Sequence, residues 1–106
     1  EIHVRSIFLQ GLLLIEPKKR NSYFNQWNEF FKIFDKWVFE KNQTRISSCI
    51  NFVMMFKEID RVVVGVESKE QFEEIITIFN KNQKTSAPDY IECKDPMLIN
   101  PANWYL

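Results

Sequence analysis

A run of apolar, mostly β-branched residues in the middle of the chain constrains its fold most strongly. The run Arg61-Val62-Val63-Val64-Gly65-Val66 shows no alternation between polar and apolar side chains. Strands of this kind are usually covered on both faces, as in parallel sheets. A parallel strand is reached from its neighbour through a helical crossover, so a second strand and helices should lie around this one. The run therefore predicts an α/β fold.

The residues before this strand supply the other elements. In the segment Ile2–Phe8, Ile2 and Val4 alternate with His3 and Arg5, which predicts a short strand. Between Ser22 and Lys41 the apolar residues recur at steps of three and four, which predicts an amphipathic helix of about five turns. Its apolar face consists of Phe24, Trp27, Phe30, Phe31, Phe34, Trp37 and Val38. A second helix, capped by Ser47 and apolar nearly all round as far as Phe56, is expected to be deeply packed.

A third helix and a tail follow the apolar strand. The capping box Ser68-Lys69-Glu70-Gln71 opens the helix, and its apolar residues have the spacing of one buried stripe, formed by Phe72, Ile75, Ile76 and Phe79. After Asn80 the periodicity ends. We divide the single domain 1–106 into βα units (1–80) and an irregular tail (81–106). Because the tail contains apolar residues such as Tyr90, Ile91 and Trp104, we expect it to be pinned to the surface.

The order of elements is therefore strand, helix, helix, strand, helix, tail. Two strands do not make a stable parallel sheet by themselves. The chain also begins with Glu1 rather than Met, so we expect a cut N-terminus. From this pattern the chain is either incomplete or self-associates, and the isolated piece is expected to be a homo-oligomer.

Composition argues against several classes of partner. Fourteen basic and fourteen acidic residues cancel, which disfavours binding to nucleic acid or to anionic lipid. The short basic cluster Lys18-Lys19-Arg20 is interpreted as a solvated loop. No segment approaches the roughly 20 apolar residues of a membrane span, and no signal peptide is recognisable. Cys49 and Cys93 lie far apart without metal-ligand spacing, which favours a reduced, cytoplasmic setting with no metal site and with Cys49 as a small buried hydrophobe.

Several segments together resemble aldo/keto reductases. The sequence V-V-V-G-V-E-S-K-E-Q-F-E-E-I (62–75) is similar to the signature after the last barrel strand of that family, and R-S-I-F-L-Q-G-L-L (5–13) to the segment after the seventh strand. The apolar helix 47–56 and the ending I-N-P-A-N-W (99–104) fit the same order. The resemblance covers nearly the whole chain through four motifs, none of which is highly specific alone. It implies the last two βα units of a (β/α)8 TIM barrel.

The resemblance also implies part of a nicotinamide cofactor site. Positions that approach the cofactor pyrophosphate in the family correspond to Ser6, Phe8 and Gly11. The segment that holds the adenosine ribose and its 2′ substituent corresponds to Gly65, Ser68, Gln71 and Glu74. Glu67 stands where many NADPH-dependent members have a small or basic residue, and Ile75 where the family usually has Asn. The implied cofactor is NADPH or NADH, with a slight lean to NADPH.

The catalytic Asp, Tyr, Lys and His of the family come from earlier strands that this chain does not contain. His3 lies in the wrong motif, and we interpret it as a structural imidazole that no neighbour orients as a base. The expected function is the C-terminal portion of an oxidoreductase acting on a small carbonyl or alcohol. The alternative is a stand-alone, non-enzymatic oligomerising module, in which Ser68, Gln71 and Glu74 belong to an ordinary capped helix.

Overall fold

The computed structural model describes residues 1–81 and 92–106. Strands β1 (His3–Val4) and β2 (Arg61–Val62) pair in parallel, with His3 opposite Arg61 and Val4 opposite Val62. The helices are α1 (Asn28–Glu40), α2 (Arg45–Met54), α3 (Lys69–Lys81) and α4 (Pro96–Ile99). Short 3-10 turns occupy Leu12–Leu14, Pro17–Lys19, Ser22–Trp27 and Pro101–Asn103. The prediction of a helix-rich α/β fold with two parallel strands is confirmed.

Both strands are shorter than the sequence predicted. β1 ends at Val4 because Ser6 has a φ of 59°, which leaves the extended conformation. β2 ends at Val62, although Val63 still donates a backbone hydrogen bond of 2.8 Å to the Val4 carbonyl. Within the described residues each strand has one neighbour, so nothing extends the ladder. The prediction that β2 is covered on both faces is wrong for this chain, since Val63 is 56% exposed.

The predicted helix from Ser22 to Lys41 is divided at Trp27. The Asn21 side chain accepts a hydrogen bond from the Tyr23 N–H and starts a 3-10 segment, which ends where Trp27 departs from helical geometry. Five of the seven residues of the predicted apolar face are buried, at Phe24, Phe31, Phe34, Trp37 and Val38, whereas Trp27 and Phe30 are only partly buried. The cap of α2 is Thr44, whose Oγ1 accepts from the Ser47 N–H at 3.1 Å, so the prediction that Ser47 caps this helix is wrong.

Two apolar clusters form the core. The larger one joins the turn after β1 to α1, α2 and α3. Its buried residues are Phe8, Phe34, Trp37, Val38, Ile46, Cys49, Ile50, Ile75 and Ile78. The smaller one joins the tail to the first helical segments through Leu12, Phe24, Phe31 and Leu98. Cys49 is buried as predicted. The single stripe expected on α3 is only partly correct, because α3 packs mainly on α2 and leaves Phe72 and Ile76 about half exposed.

The tail is pinned, as predicted, over its described residues 92–106. The Trp104 ring meets Phe24 edge-on with ring centroids 4.9 Å apart. Tyr23 donates from its hydroxyl to the Met97 carbonyl at 2.7 Å, and Trp27 donates from Nε1 to Asp95 at 3.0 Å. This part of the tail is less irregular than expected, because it contains α4 and a 3-10 turn. Pro88, Tyr90 and Ile91 lie outside the described residues.

A charged cluster ties the loop before α1 to α1 and α2. Arg20 donates two hydrogen bonds to Asp35, of 2.9 and 2.6 Å, and Arg45 donates a third of 2.7 Å. The Arg20 side chain is only 8% exposed and its guanidinium lies 4.1 Å from the centre of the Phe31 ring. Lys18 and Lys19 are exposed as predicted, but Arg20 belongs to the interior rather than to a solvated loop.

Across residues 1–81 and 92–106, none of the helices combines the length and the apolar character needed to cross a bilayer. The longest, α1 and α3, have 13 residues each.

Candidate functional site

A cleft of about 800 Å³ opens where the two strands end. Its walls are formed by residues 5–8, 10–11 and 14–15 after β1, residues 63–67 after β2, and Gln71 in the first turn of α3. Parallel strands present their carboxyl ends at the same edge of a sheet. In α/β proteins this edge is where ligands bind, because the connecting segments diverge there and leave room.

Most of the predicted cofactor residues meet in this cleft. Six of the eight line it: Ser6, Phe8, Gly11, Gly65, Glu67 and Gln71. These residues come from two distant parts of the sequence, and the parallel pairing of β1 with β2 brings them together. Ser68 and Glu74 are not part of its wall. The structure thus assembles six of the residues at the edge expected for a ligand.

The turn after β1 has an unusual backbone. Leu9, Gln10 and Gly11 have consecutive positive φ values of 51°, 52° and 82°. The turn closes through hydrogen bonds from the Leu9 N–H to Ser6 and from the Leu12 N–H to Leu9. Gly11 is suited to its conformation because it has no side chain to clash, so the turn alone explains this glycine. Phe8 is buried in the larger apolar cluster, and it anchors the turn to the core.

Gly65 has no comparable structural reason to be glycine. Its φ is not in the positive region, and a β carbon built on it would meet no heavy atom of the described residues within 4 Å. Neither the backbone conformation nor packing within this chain therefore requires a glycine. A residue without a side chain leaves the backbone open to close approach by a ligand, and Gly65 faces the cleft.

The start of α3 is held by the predicted capping box. Ser68 Oγ accepts a hydrogen bond of 3.1 Å from the Gln71 N–H, and Gln71 Oε1 accepts one of 2.8 Å from the Glu67 N–H. The prediction of a capped helix is confirmed, although the Gln71 side chain reaches one residue further back than in the usual box. Capping also gives Ser68 and Gln71 a structural role that does not depend on a ligand.

Glu74 and Ile75 lie away from the cleft. Glu74 lines a second cleft of about 540 Å³, which borders the first at Leu14 and Gln71 and also contains Asp35 and Arg45. Ile75 is 1% exposed and belongs to the core. The ribose contact that the resemblance implies for Glu74 would require a ligand that reaches from the first cleft into the second.

Arg5 is a cleft residue that the sequence reasoning did not single out. Among the chain's four arginines, Arg20 and Arg45 bind Asp35, and Arg61 binds Glu1 at 3.1 Å. Arg5 has no ion pair within the described residues, and it shares the cleft with Glu67. These two are the ionisable side chains of the cleft wall. Because Arg5 lies inside the predicted strand Ile2–Phe8, its position at a strand end is evident only from the structure, in which β1 ends at Val4.

His3 lies in β1 with its side chain at the surface rather than in the cleft. Its Nε2 is 2.5 Å from Glu1 Oε1, and its side chain is 52% exposed. The expectation that no neighbour orients this imidazole is therefore wrong, since Glu1 does. Within residues 1–81 and 92–106 there is no group of three or more His, Cys, Asp or Glu side chains placed to hold a metal ion.

None of the protein-family models, curated proteins and solved structures compared with the chain matches it. The chemistry of the cleft is therefore the basis for a function. It offers one cation at Arg5, one carboxylate at Glu67 and an open stretch of backbone at Gly65, all at the carboxyl edge of two parallel strands.

Proposed function

We propose that the chain is the C-terminal portion of an NAD(P)H-dependent aldo/keto reductase and forms part of its cofactor site. The observation that carries the proposal is the convergence of Ser6, Gly11, Gly65, Glu67 and Gln71 on one cleft at the strand ends. These residues were named from sequence resemblance alone, and they could have been scattered over the surface. Their convergence supports a common ligand.

The exposed apolar residues directly after β2 support a barrel origin. Val63 and Val66 are exposed although they belong to an apolar, β-branched run. In a (β/α)8 barrel every strand has a neighbour on each side, and the interior is filled by such residues. Six further strands from the complete protein would cover these surfaces. The exposed Phe72 and Ile76 of α3 would likewise face a neighbouring helix.

Each cleft residue has a specific role in this proposal. At Gly65 the ligand can approach the backbone closely, because there is no side chain. Arg5 attracts the phosphates of the ligand, and Glu67 accepts hydrogen bonds from its ribose hydroxyls. The cofactor supplies or accepts a hydride in the reaction of a small carbonyl or alcohol substrate. The catalytic groups would come from earlier strands, so the 106-residue chain alone is not proposed to be an enzyme. A cytoplasmic location is part of the proposal, since both Cys49 and Cys93 are free.

The direct test is cofactor binding by the protein expressed from its complete gene, compared with the 106-residue chain. Each is titrated with NADH and NADPH while cofactor fluorescence is followed. We expect the complete protein to bind and the chain alone to bind weakly or not at all, because most of the site is missing. If the complete protein binds neither cofactor, the proposal is wrong.

Gly65→Ala separates a ligand role from a structural role. Because a β carbon at this position meets open space and alanine restricts the unfolded chain more than glycine does, the substitution should not lower the urea midpoint of unfolding. It should weaken cofactor binding by about tenfold, a loss of ~1.4 kcal/mol, by obstructing the close approach of the ligand. Asn80→Ala, at an exposed position near the end of α3, is the control and should change neither quantity. An unchanged affinity in Gly65→Ala would count against the cleft as the cofactor site.

A self-associating, non-enzymatic module is the second candidate. It is favoured by the exposed apolar side chains of the segment after β2 and of α3, where Val63, Phe72 and Ile76 are 56%, 49% and 44% exposed. Exposed apolar patches often mark interaction surfaces. Size-exclusion chromatography with light scattering on the 106-residue chain should give at least a dimer. A well-folded monomer in dilute solution would contradict self-association, and association without any cofactor binding by the complete protein would favour this candidate.

A further inference from the structure

Resting on the proposed cofactor site, we infer that the cleft selects NADH over NADPH and that Glu67 determines this preference. The two cofactors differ only in the 2′-phosphate of the adenosine ribose. A site for NADPH needs cations or free N–H donors at that phosphate, whereas a site for NADH needs an acceptor for the ribose hydroxyl. The segment from Gly65 to Gln71, which the proposal places beside this ribose, provides the carboxylate acceptor of Glu67 and contributes no cation to the cleft wall.

The capping box has already used donors at the start of α3. A helix N-terminus binds phosphate through N–H groups that have no partner within the helix. Here the Glu67 N–H is bound to Gln71 Oε1 at 2.8 Å, and the Gln71 N–H is bound to Ser68 Oγ at 3.1 Å. The Gln71 side-chain oxygen is thereby turned toward the backbone as an acceptor. The two N–H groups that flank this turn are not available to a phosphate without breaking the cap.

The charges of the segment also oppose a phosphate. Glu67 is exposed and lines the cleft, whereas Glu70, in the first turn of α3, lies outside the cleft wall. The nearest cation in sequence, Lys69, pairs with Glu73 at 3.9 Å and is not part of the cleft wall. Arg5, the cation of the cleft, follows the other strand, where it suits the pyrophosphate common to both cofactors. A 2′-phosphate, carrying close to two negative charges, would meet a carboxylate in place of a cation.

Glu67 favours the unphosphorylated ribose directly. Its backbone N–H is fixed by Gln71, so the peptide that carries the side chain is held in place at the cleft wall. A carboxylate there can accept hydrogen bonds from ribose hydroxyls, as acidic residues do in other dinucleotide-binding folds. The slight preference for NADPH expected from the family resemblance is therefore reversed in our inference.

The test measures Kd for NADH and NADPH by calorimetry on the protein from the complete gene, in wild-type form and as Glu67→Gln. We expect wild type to bind NADH at least about tenfold more tightly, and Glu67→Gln to reduce that ratio by about tenfold, mainly by tightening NADPH. Glu70→Gln removes one negative charge from the nearby first turn of α3, outside the cleft wall. It should leave the ratio of the two Kd values unchanged. Competition by 5′-AMP and by adenosine 2′,5′-bisphosphate isolates the ribose end, and 5′-AMP should compete better.

Each result separates this inference from the proposed function. Equal or tighter binding of NADPH by wild type overturns the inference and leaves the reductase proposal in place. If Glu67→Gln has the same ratio of NADPH to NADH Kd values as wild type, or if Glu70→Gln changes this ratio equally, Glu67 does not determine the preference. Failure of the complete protein to bind either cofactor overturns the proposed function and this inference together.

Discussion

Replacing Asp35 by Asn is expected to lower the free energy of unfolding by about 3 kcal/mol. Asp35 accepts hydrogen bonds from both Arg20 and Arg45, and the Arg20 side chain is only 8% exposed. An amide offers one oxygen and no charge, so two largely buried guanidinium groups would lose their anionic partner. Removing one member of a buried ion pair costs roughly 3–5 kcal/mol. We take the lower end because Asp35 itself is 23% exposed and solvent screens part of the interaction.

The same cluster predicts a dependence of stability on pH. Burial raises the pKa of Asp35, but the hydrogen bonds and charges of Arg20 and Arg45 outweigh it and hold the pKa below the ordinary value of 3.8. The unfolded chain therefore binds this proton at a higher pH than the folded protein does. The contribution of Asp35 is complete above pH 3.8 and is lost as the pH falls through the lowered folded-state pKa.

Urea unfolding followed by tryptophan fluorescence measures both effects. The difference between wild type and Asp35→Asn should be constant near neutral pH and should shrink once the pH falls below about 4. The matched control is Glu29→Gln, since Glu29 pairs with Lys32 at 3.3 Å but both side chains are largely exposed. That pair should contribute less than about 0.5 kcal/mol. An Asp35→Asn loss no larger than the control, or one that does not change in acid, would refute the reasoning.

Three further predictions concern single positions. Burial raises the pKa of Cys49 to about 12. Maleimide at pH 8 should therefore label half-buried Cys93 and leave Cys49 unmodified until urea is added, and equal labelling of both thiols in the folded protein would contradict this. Trp104→Ala removes the ring contact with Phe24, so it should lower the free energy of unfolding by about 2–3 kcal/mol and make the tail susceptible to limited proteolysis. A tail that stays intact under protease would argue against this. Gly11→Ala should lower the free energy of unfolding in urea by about 1–2 kcal/mol, because the backbone φ of Gly11 is +82°. An unchanged free energy would mean that the turn rearranges.

The features that the sequence predicted well depend on residues close together in the chain. The capping box is an example, because Ser68 and Gln71 contact each other within one helical turn and form the expected hydrogen bond. The parallel pairing of the strands was also expected from a local signal, since a continuous apolar run is typical of parallel strands and helical crossovers connect such strands. The burial of the aromatic face of α1 follows from its spacing alone.

The features that sequence reasoning missed depend on partners distant in the chain. Whether Phe72 or Ile78 is buried on α3 is decided by where α2 packs, and helical spacing does not specify that contact. The Arg20–Asp35 pair likewise connects α1 to a distant loop. From the sequence that loop was interpreted as a solvated basic cluster. Arg5 was overlooked because its lack of a carboxylate partner is evident only once the other arginines are placed.

The two glycines of the chain separate the demands of folding from those of a ligand. Gly11 is required by its own backbone, because its φ of +82° disfavours any side chain. Gly65 is required by nothing in the described chain, and it lies two residues before Glu67, whose N–H is fixed by the Gln71 side chain. A segment that leaves open space at the carboxyl end of a parallel strand has the geometry for an approaching ligand. If Gly65→Ala changes neither stability nor cofactor affinity, that space serves no ligand, and the exposed apolar surface becomes the better guide to function.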